Sequence, residues 1–282
     1  MITAANLLYN NTCLECSQLV TKRYSTSFSI GIRLFEKAYR APVAGIYGFV
    51  RFADEIVDTF HDFDKKALLE KFKVETFIAI RDRISLNPIL HAFQEVVHTY
   101  NIPLEYIHAF FDSMEMDLYF HMYEDSKYQH YIYGSAEVIG LMCLKVFCYN
   151  TDAASEPLEQ AARRLGAAFQ KVNFLRDMKS DFEERGRVYF PNVDFENFTS
   201  AEKLAIEEDI QLDFDLAYEG IKKLPKSCRL GVYVAYKYYL NLFSKIKKTS
   251  SEILVKERLR INNGSKMYIL FKSYLRSSFN LL

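Results

Sequence analysis

Four aspartates stand out by their spacing. In "YGFVRFADEIVDTF" (47–60), Tyr47, Arg51, Asp54 and Asp58 fall at offsets 0, 4, 7 and 11. At about 100° per residue these offsets lie on one line along a helix. Apolar residues fill nearly all the rest of that helix, so the polar strip is thin and flanked by grease, unlike an ordinary solvated face. The figure recurs in "FQKVNFLRDMKSD" (169–181), where Gln170, Asn173, Asp177 and Asp181 sit at offsets 0, 3, 7 and 11. Each helix therefore presents two carboxylates an i,i+4 step apart, and like charges at that spacing repel. A divalent cation reverses the sign of the interaction. With oxygen donors and no cysteine or histidine in the set, the ion indicated is Mg²⁺, which keeps waters and takes phosphate oxygens as further ligands.

Two such helices facing each other would form an acidic clamp above an apolar pocket. That combination suits a substrate with a diphosphate head and a hydrocarbon tail. Mg²⁺ acts as a Lewis acid that lets diphosphate leave. The allylic cation left behind is stabilised by aromatic faces and protected by a dry pocket.

The elements that must carry these rows are helical. The chain has 282 residues, half of them hydrophobic, with 23 Phe, 20 Tyr, only 10 Gly and only 6 Pro. Turn-rich all-β architectures are thereby disfavoured, and no repeat or linker divides the chain, so we read one all-α domain over residues 1–282. Helical patterns run over 11–23, 27–35, 40–60, 64–84, 88–100, 104–122, 128–149, 156–184, 200–222, 227–248 and 264–279. Pro42, Pro88, Pro103 and Pro157 fall near starts, and Thr199 with Glu202 forms a capping-box signature. "PNVDFENFT" is the one long irregular connection.

Formal net charge is zero, which gives no signature of nucleic-acid binding. Residues 221–282 nevertheless hold fourteen Lys/Arg against two Asp/Glu. Two readings stand: a solvated helical face, or contact with an anionic membrane surface or a phosphorylated substrate. The five cysteines do not form a paired framework, and "CLEC" lacks partners for a metal site, so we expect two thiols on one helical turn. With no signal peptide and no membrane-spanning run, a cytoplasmic protein is expected, peripheral contact through the basic end being the one route to a membrane.

In order along most of the chain, the motifs resemble the squalene/phytoene synthase family of head-to-head prenyl synthases. "YSTSF" (24–28) is similar to that family's serine-rich entry motif, and "YGFVRFADEIVD" to its first aspartate motif. "QKVNFLRDMKSDFEERGRVYFP" (170–191) is similar to its second, with the trailing arginine and tyrosine signature. "YIYGSAEVIGLM" (131–142) resembles the segment between them.

The resemblance implies an isoprenoid synthase helical bundle with a central cavity and a two-step reaction on two prenyl diphosphates. A cyclopropylcarbinyl diphosphate forms first, then ionises, rearranges and is quenched. It implies Asp54, Asp58, Asn173, Asp177 and Asp181 as ligands of Mg²⁺ or of its waters. Arg51 and Arg176 would grip diphosphate with Ser25, Ser27 and Tyr239. Tyr24 belongs to the entry motif, Tyr47 and Gln170 would line the substrate, and Tyr133 or Tyr131 would face the cations. Arg176 lies about 120° off the second row on an ideal helix, so it must reach around or serve a neighbouring site.

"RGRVYFP" is similar to the phytoene branch, pointing to two C20 diphosphates and phytoene; a C15-using dehydrosqualene or squalene synthase is the rival. No Gly-rich dinucleotide loop is present and NADPH is not expected. Two departures remain. Glu55 replaces an aspartate common in the family, and Glu137 stands where a glycine is usual. Glu137 is either a further pocket acid or the partner of a basic residue. Asp117 is either a pocket carboxylate or a helix-surface acid. A non-catalytic helical scaffold of the same fold is a reading of another class, but it would have no reason to keep the acids.

Overall fold

The structure, a computed structural model, describes residues 4–119, 123–151, 155–260, 264, 267–270 and 272–273, without the side chains of Thr26 and Ser27. Among these residues the regular structure is helical, and most breaks carry a local chemical reason. Helix α1 (Ala4–Tyr24) ends just before Ser25, whose hydroxyl accepts from Phe28 N at 3.2 Å and starts α2 (Thr26–Arg33). Helix α3 (Lys37–Asp58) is followed by α4 (Lys65–Asp82), capped by the Asp64 side chain. Asn87 caps α5 (Pro88–Tyr100), where Pro88 fills a position that needs no N–H. Asn101, at φ 51°, turns the chain into α6 (Leu104–Tyr119).

Helix α7 (Asp125–Ile132) passes through a π-helical turn (Tyr133–Glu137) into α8 (Val138–Phe147). Helix α9 (Glu156–Arg185) ends at Gly186, whose φ of 66° suits a residue without a side chain. The expected capping box opens α10 (Ser200–Ile221): the Thr199 hydroxyl accepts from Glu202 N, and the Glu202 carboxylate accepts from Thr199 N. Helices α11 (Lys226–Lys247) and α12 (Ser251–Leu254) follow.

Several expected boundaries need correction. Helix α1 begins seven residues before the expected position 11. Pro42 lies inside α3, not at its start. The expected unbroken helix over 128–149 is two helices joined by the π turn, and α12 has no counterpart in the sequence reading. Most of the expected helix at 264–279 lies outside the described residues. The π turn packs so tightly on α6 that a Cβ on Gly134 would stand 2.1 Å from the Ala109 carbonyl oxygen.

Helix α3 runs through the middle of the bundle, against α1, α4, α5, α6 and α8. Phe49 stacks on Phe93 at 3.9 Å and meets Phe72, Phe110 and Phe111 around it. Burying one such ring stabilises the fold by roughly 2–3 kcal/mol. This core fixes the polar line of α3 on the side away from α5. Cys13 and Cys16 share α1 as free thiols, as expected. No described helix is long and apolar enough to cross a membrane.

Candidate active site

The two aspartate rows face each other. Arg185 closes the gap between them, its Nη1 2.8 Å from Asp181 Oδ1 on α9 and its Nε 3.5 Å from Asp58 Oδ1 on α3. Electrostatics agree with this proximity. Burial and the carboxylates of Asp58 and Asp117 push Asp54 up to about 7, against the pull of Arg51. Asp181 is pushed up to about 7 by burial and Asp177, with Asp58 adding and Arg185 opposing.

Guanidinium groups answer most of this negative charge. Asp177 receives Arg176 Nε at 2.9 Å and, from the segment after α12, Arg258 Nε at 2.7 Å. Arg187 Nη1 reaches Asp58 at 2.9 Å. Asp54 differs, since no hydrogen bond or ion pair joins it to another described residue. Arg258 and Arg187 are the site cations that sequence spacing could not reveal, lying 81 and 129 residues from their partners. Part of the basic C-terminal region is likewise engaged internally, with Lys245 on the Arg260 carbonyl and Lys247 on Gln211.

Beneath the rim lies a polar knot that the sequence left open. Asp117 is buried and accepts from Tyr131 at 2.8 Å and from Tyr123 and Tyr189 at 3.1 Å each. It is therefore an interior acid, pushed up to about 6 by burial against the opposing pull of Arg187. The Tyr189 ring stacks on Phe174 at 4.0 Å, building an aromatic wall under the second row. The hollow lined by Phe174, Asp181, Arg187 and Tyr189 measures only about 10 Å³. Larger hollows of about 390 Å³ at α6–α7 and 330 Å³ at α11 carry no rim aspartate.

The other expected residues divide into those at the rim and those away from it. Tyr47 stacks on Phe28 at 5.0 Å, and burial pushes its hydroxyl up to about 12. Ser25 reaches Tyr47, and Tyr239 lies close to both Tyr47 and Arg176. Tyr239 also stacks on Phe169 at 3.9 Å. Arg51 pairs with Glu55 and lies 4.6 Å over the ring of Tyr24, so Glu55 and Tyr24 both hold it in place. Gln170 is half-buried on α9, one turn before Asn173. Arg176 folds onto its neighbour Asp177.

Ser27 sits on α2 with its side chain outside the described set. Tyr131 and Tyr133 part company, with Tyr131 on Asp117 and Tyr133 under the guanidinium of Arg163 at 5.2 Å. Arg163 also pairs with Glu137 at 2.6 Å, which settles that glutamate as the partner of a base.

The rim fits a hard divalent cation. Its donors are all oxygen, Asn173 Oδ1 is buried with no hydrogen bond while the same amide meets the Tyr239 hydroxyl, and on Asp54 burial and two carboxylates outweigh the pull of Arg51. Among the described residues no three acids, histidines or cysteines stand close enough together to hold a metal ion by themselves. Each row offers a pair, which leaves coordination positions for water and phosphate oxygens.

A helical bundle with facing aspartate rows above aromatic walls defines an all-α isoprenoid synthase fold. The chain belongs to the squalene/phytoene synthase family, whose sequence profile matches residues 21–265. It is thereby a prenyltransferase of the head-to-head prenyl diphosphate condensation type, in a family that is generally divalent-metal dependent. A 4,4'-diapophytoene synthase of Staphylococcus haemolyticus is 24% identical over 89% of this chain and 92% of its own length. A phytoene synthase of Mycobacterium bovis is 28% identical over 62% of this chain, and that match spans 56% of the relative. In fold, a crystal structure of a dehydrosqualene synthase with ligand superposes with TM-score 0.81 at 19% identity, covering 95% of this chain and 98% of the other. A squalene synthase from Alicyclobacillus acidocaldarius gives 0.75 at 19%, covering 86% and 95%.

Proposed function

We propose that this protein joins two prenyl diphosphates head to head with Mg²⁺ held between Asp54 and Asp58 of α3 and Asn173, Asp177 and Asp181 of α9. The observation that carries the reading is the meeting of the two rows at Asp58 and Asp181 across Arg185, with the Asp54 carboxyl pushed up despite Arg51 and Asn173 Oδ1 without a hydrogen bond at the rim. Bound there, Mg²⁺ supplies Lewis-acid assistance to the departing diphosphate.

The chain's own residues do the rest. Arg51, pre-oriented by Glu55 and Tyr24, and the pair Arg176 and Arg258 on Asp177 present donors to phosphate oxygens. Tyr47, Ser25 and Tyr239 line the same edge. Tyr131, Tyr189 and Phe174 form a closely packed aromatic wall beneath the rim that would keep water from the allylic cation. Because Tyr131, and not Tyr133, sits on this side, we assign the cation-facing role to Tyr131.

For the substrate we take the C15 pair, giving a C30 product. The support is the diapophytoene synthase relative, aligned over nearly the whole chain, whereas the phytoene synthase match is partial. The C20 pair, with phytoene as product, is the second reading, favoured by the "RGRVYFP" signature. Purified protein with Mg²⁺ and each diphosphate, with and without NADPH, should give a C30 hydrocarbon by mass from the C15 substrate alone. A C40 product would transfer the assignment to the C20 reading. Absence of diphosphate release from both substrates would remove the reading altogether.

A further inference from the structure

The cations at the rim are not equivalent. Arg258 is half exposed and Arg185 about a quarter exposed, so water and an incoming ion can replace them. Arg187 is only 6% exposed. Its Nη1 donates to Asp58 at 2.9 Å and to the Tyr189 hydroxyl at 3.1 Å, its Nη2 donates to the Val57 carbonyl at 3.3 Å, and Asp117 lies 3.6 Å away. Its backbone N–H donates to the Asp181 carbonyl at 2.8 Å, just past the left-handed turn at Gly186. One residue thus touches α9 through its main chain and α3 and α6 through its side chain. Withdrawing such a guanidinium would leave Asp117 buried without its ion pair, which is costly.

We infer that Arg187 is a positioning residue that stays in place when the cation arrives, fixing the Asp58 carboxylate, and that Asp117 acts on the rim through it. The inference rests on the proposed function above. It makes Asp117, which is not among the proposed metal ligands, a determinant of metal affinity, while Arg185 is a counter-cation the metal displaces.

The test is a thermal-shift titration with MgCl₂ in the presence of inorganic diphosphate, read as the Mg²⁺ concentration at half-maximal shift. Asp117→Asn and Arg187→Gln should each raise that midpoint about tenfold, the size usual for groups that orient metal ligands. The double variant should be no worse than Arg187→Gln, because both act through one contact. Arg185→Gln should leave the midpoint unchanged or lower it. Folded variants of Asp117 and Arg187 that are less stable but keep the wild-type midpoint would overturn the inference. Should Arg187→Gln fail to fold, Arg187→Lys and Asp117→Asn decide in the same way. Wild-type protein without any Mg²⁺-dependent shift would overturn the functional reading and this inference together.

Discussion

Asp54 is the residue on which charge and function conflict most sharply. Asp58 and Asp181 are paired with arginines, whereas on Asp54 burial and two further carboxylates outweigh the more distant pull of Arg51. Asp54→Asn removes that repulsion and one proposed ligand together. Turnover should fall on the order of a hundredfold or more, since even groups behind a metal ligand cost up to that much. Metal-free stability at pH 8 should rise by about 1–3 kcal/mol, the worth of ionising an acid so far from its usual range. Kinetics and urea denaturation check the two effects separately. A variant that loses activity and stability in parallel would mean that Asp54 is structural.

Among the elements, the π-helical turn does most to arrange the site. Residues two apart on a helix diverge by about 200°, so only one of Tyr131 and Tyr133 can face the rim. With Gly134 packed on α6, Tyr131 meets Asp117 and Tyr133 meets Arg163. Gly134→Ala would put a Cβ 2.1 Å from the Ala109 carbonyl oxygen and 2.8 Å from Ser113 Cβ. Both neighbours are held in α6 and neither can swing aside. The substitution should destabilise the fold by about 3 kcal/mol or more, measured by urea denaturation, and a loss below 1 kcal/mol would show that α7 and α8 can slide. Such a requirement could be suspected from the glycine but not located, because α6 reaches it only through the tertiary fold.

For the molecule as a whole, the acids make stability depend on pH. Asp54 and Asp181, each pushed up to about 7, hold their protons more tightly folded than unfolded. Their contribution is therefore intact below the ordinary carboxylate range near pH 4 and is lost as pH rises through about 7. Metal-free protein should melt at a higher temperature at pH 5 than at pH 8. Adding Mg²⁺ with diphosphate should recover the loss at pH 8 and do little at pH 5, where the ligands carry protons. Melting curves across that range decide it, and a flat metal-free profile would show that the arginines already cancel the repulsion.

The sequence by itself determined the helical class, the two aspartate rows and the helices that bear them. Those features are local: a 3.6-residue period and a capping pair are written within a dozen consecutive residues. Only the tertiary structure decided that Asp117 is interior and bonded to Tyr131, that Glu137 and Tyr133 both meet Arg163, and that Arg187 and Arg258 reach the rim aspartates. Each of those depends on which distant helix face packs opposite. That choice is made by the fit of the whole core around α3, which no short stretch of chain contains.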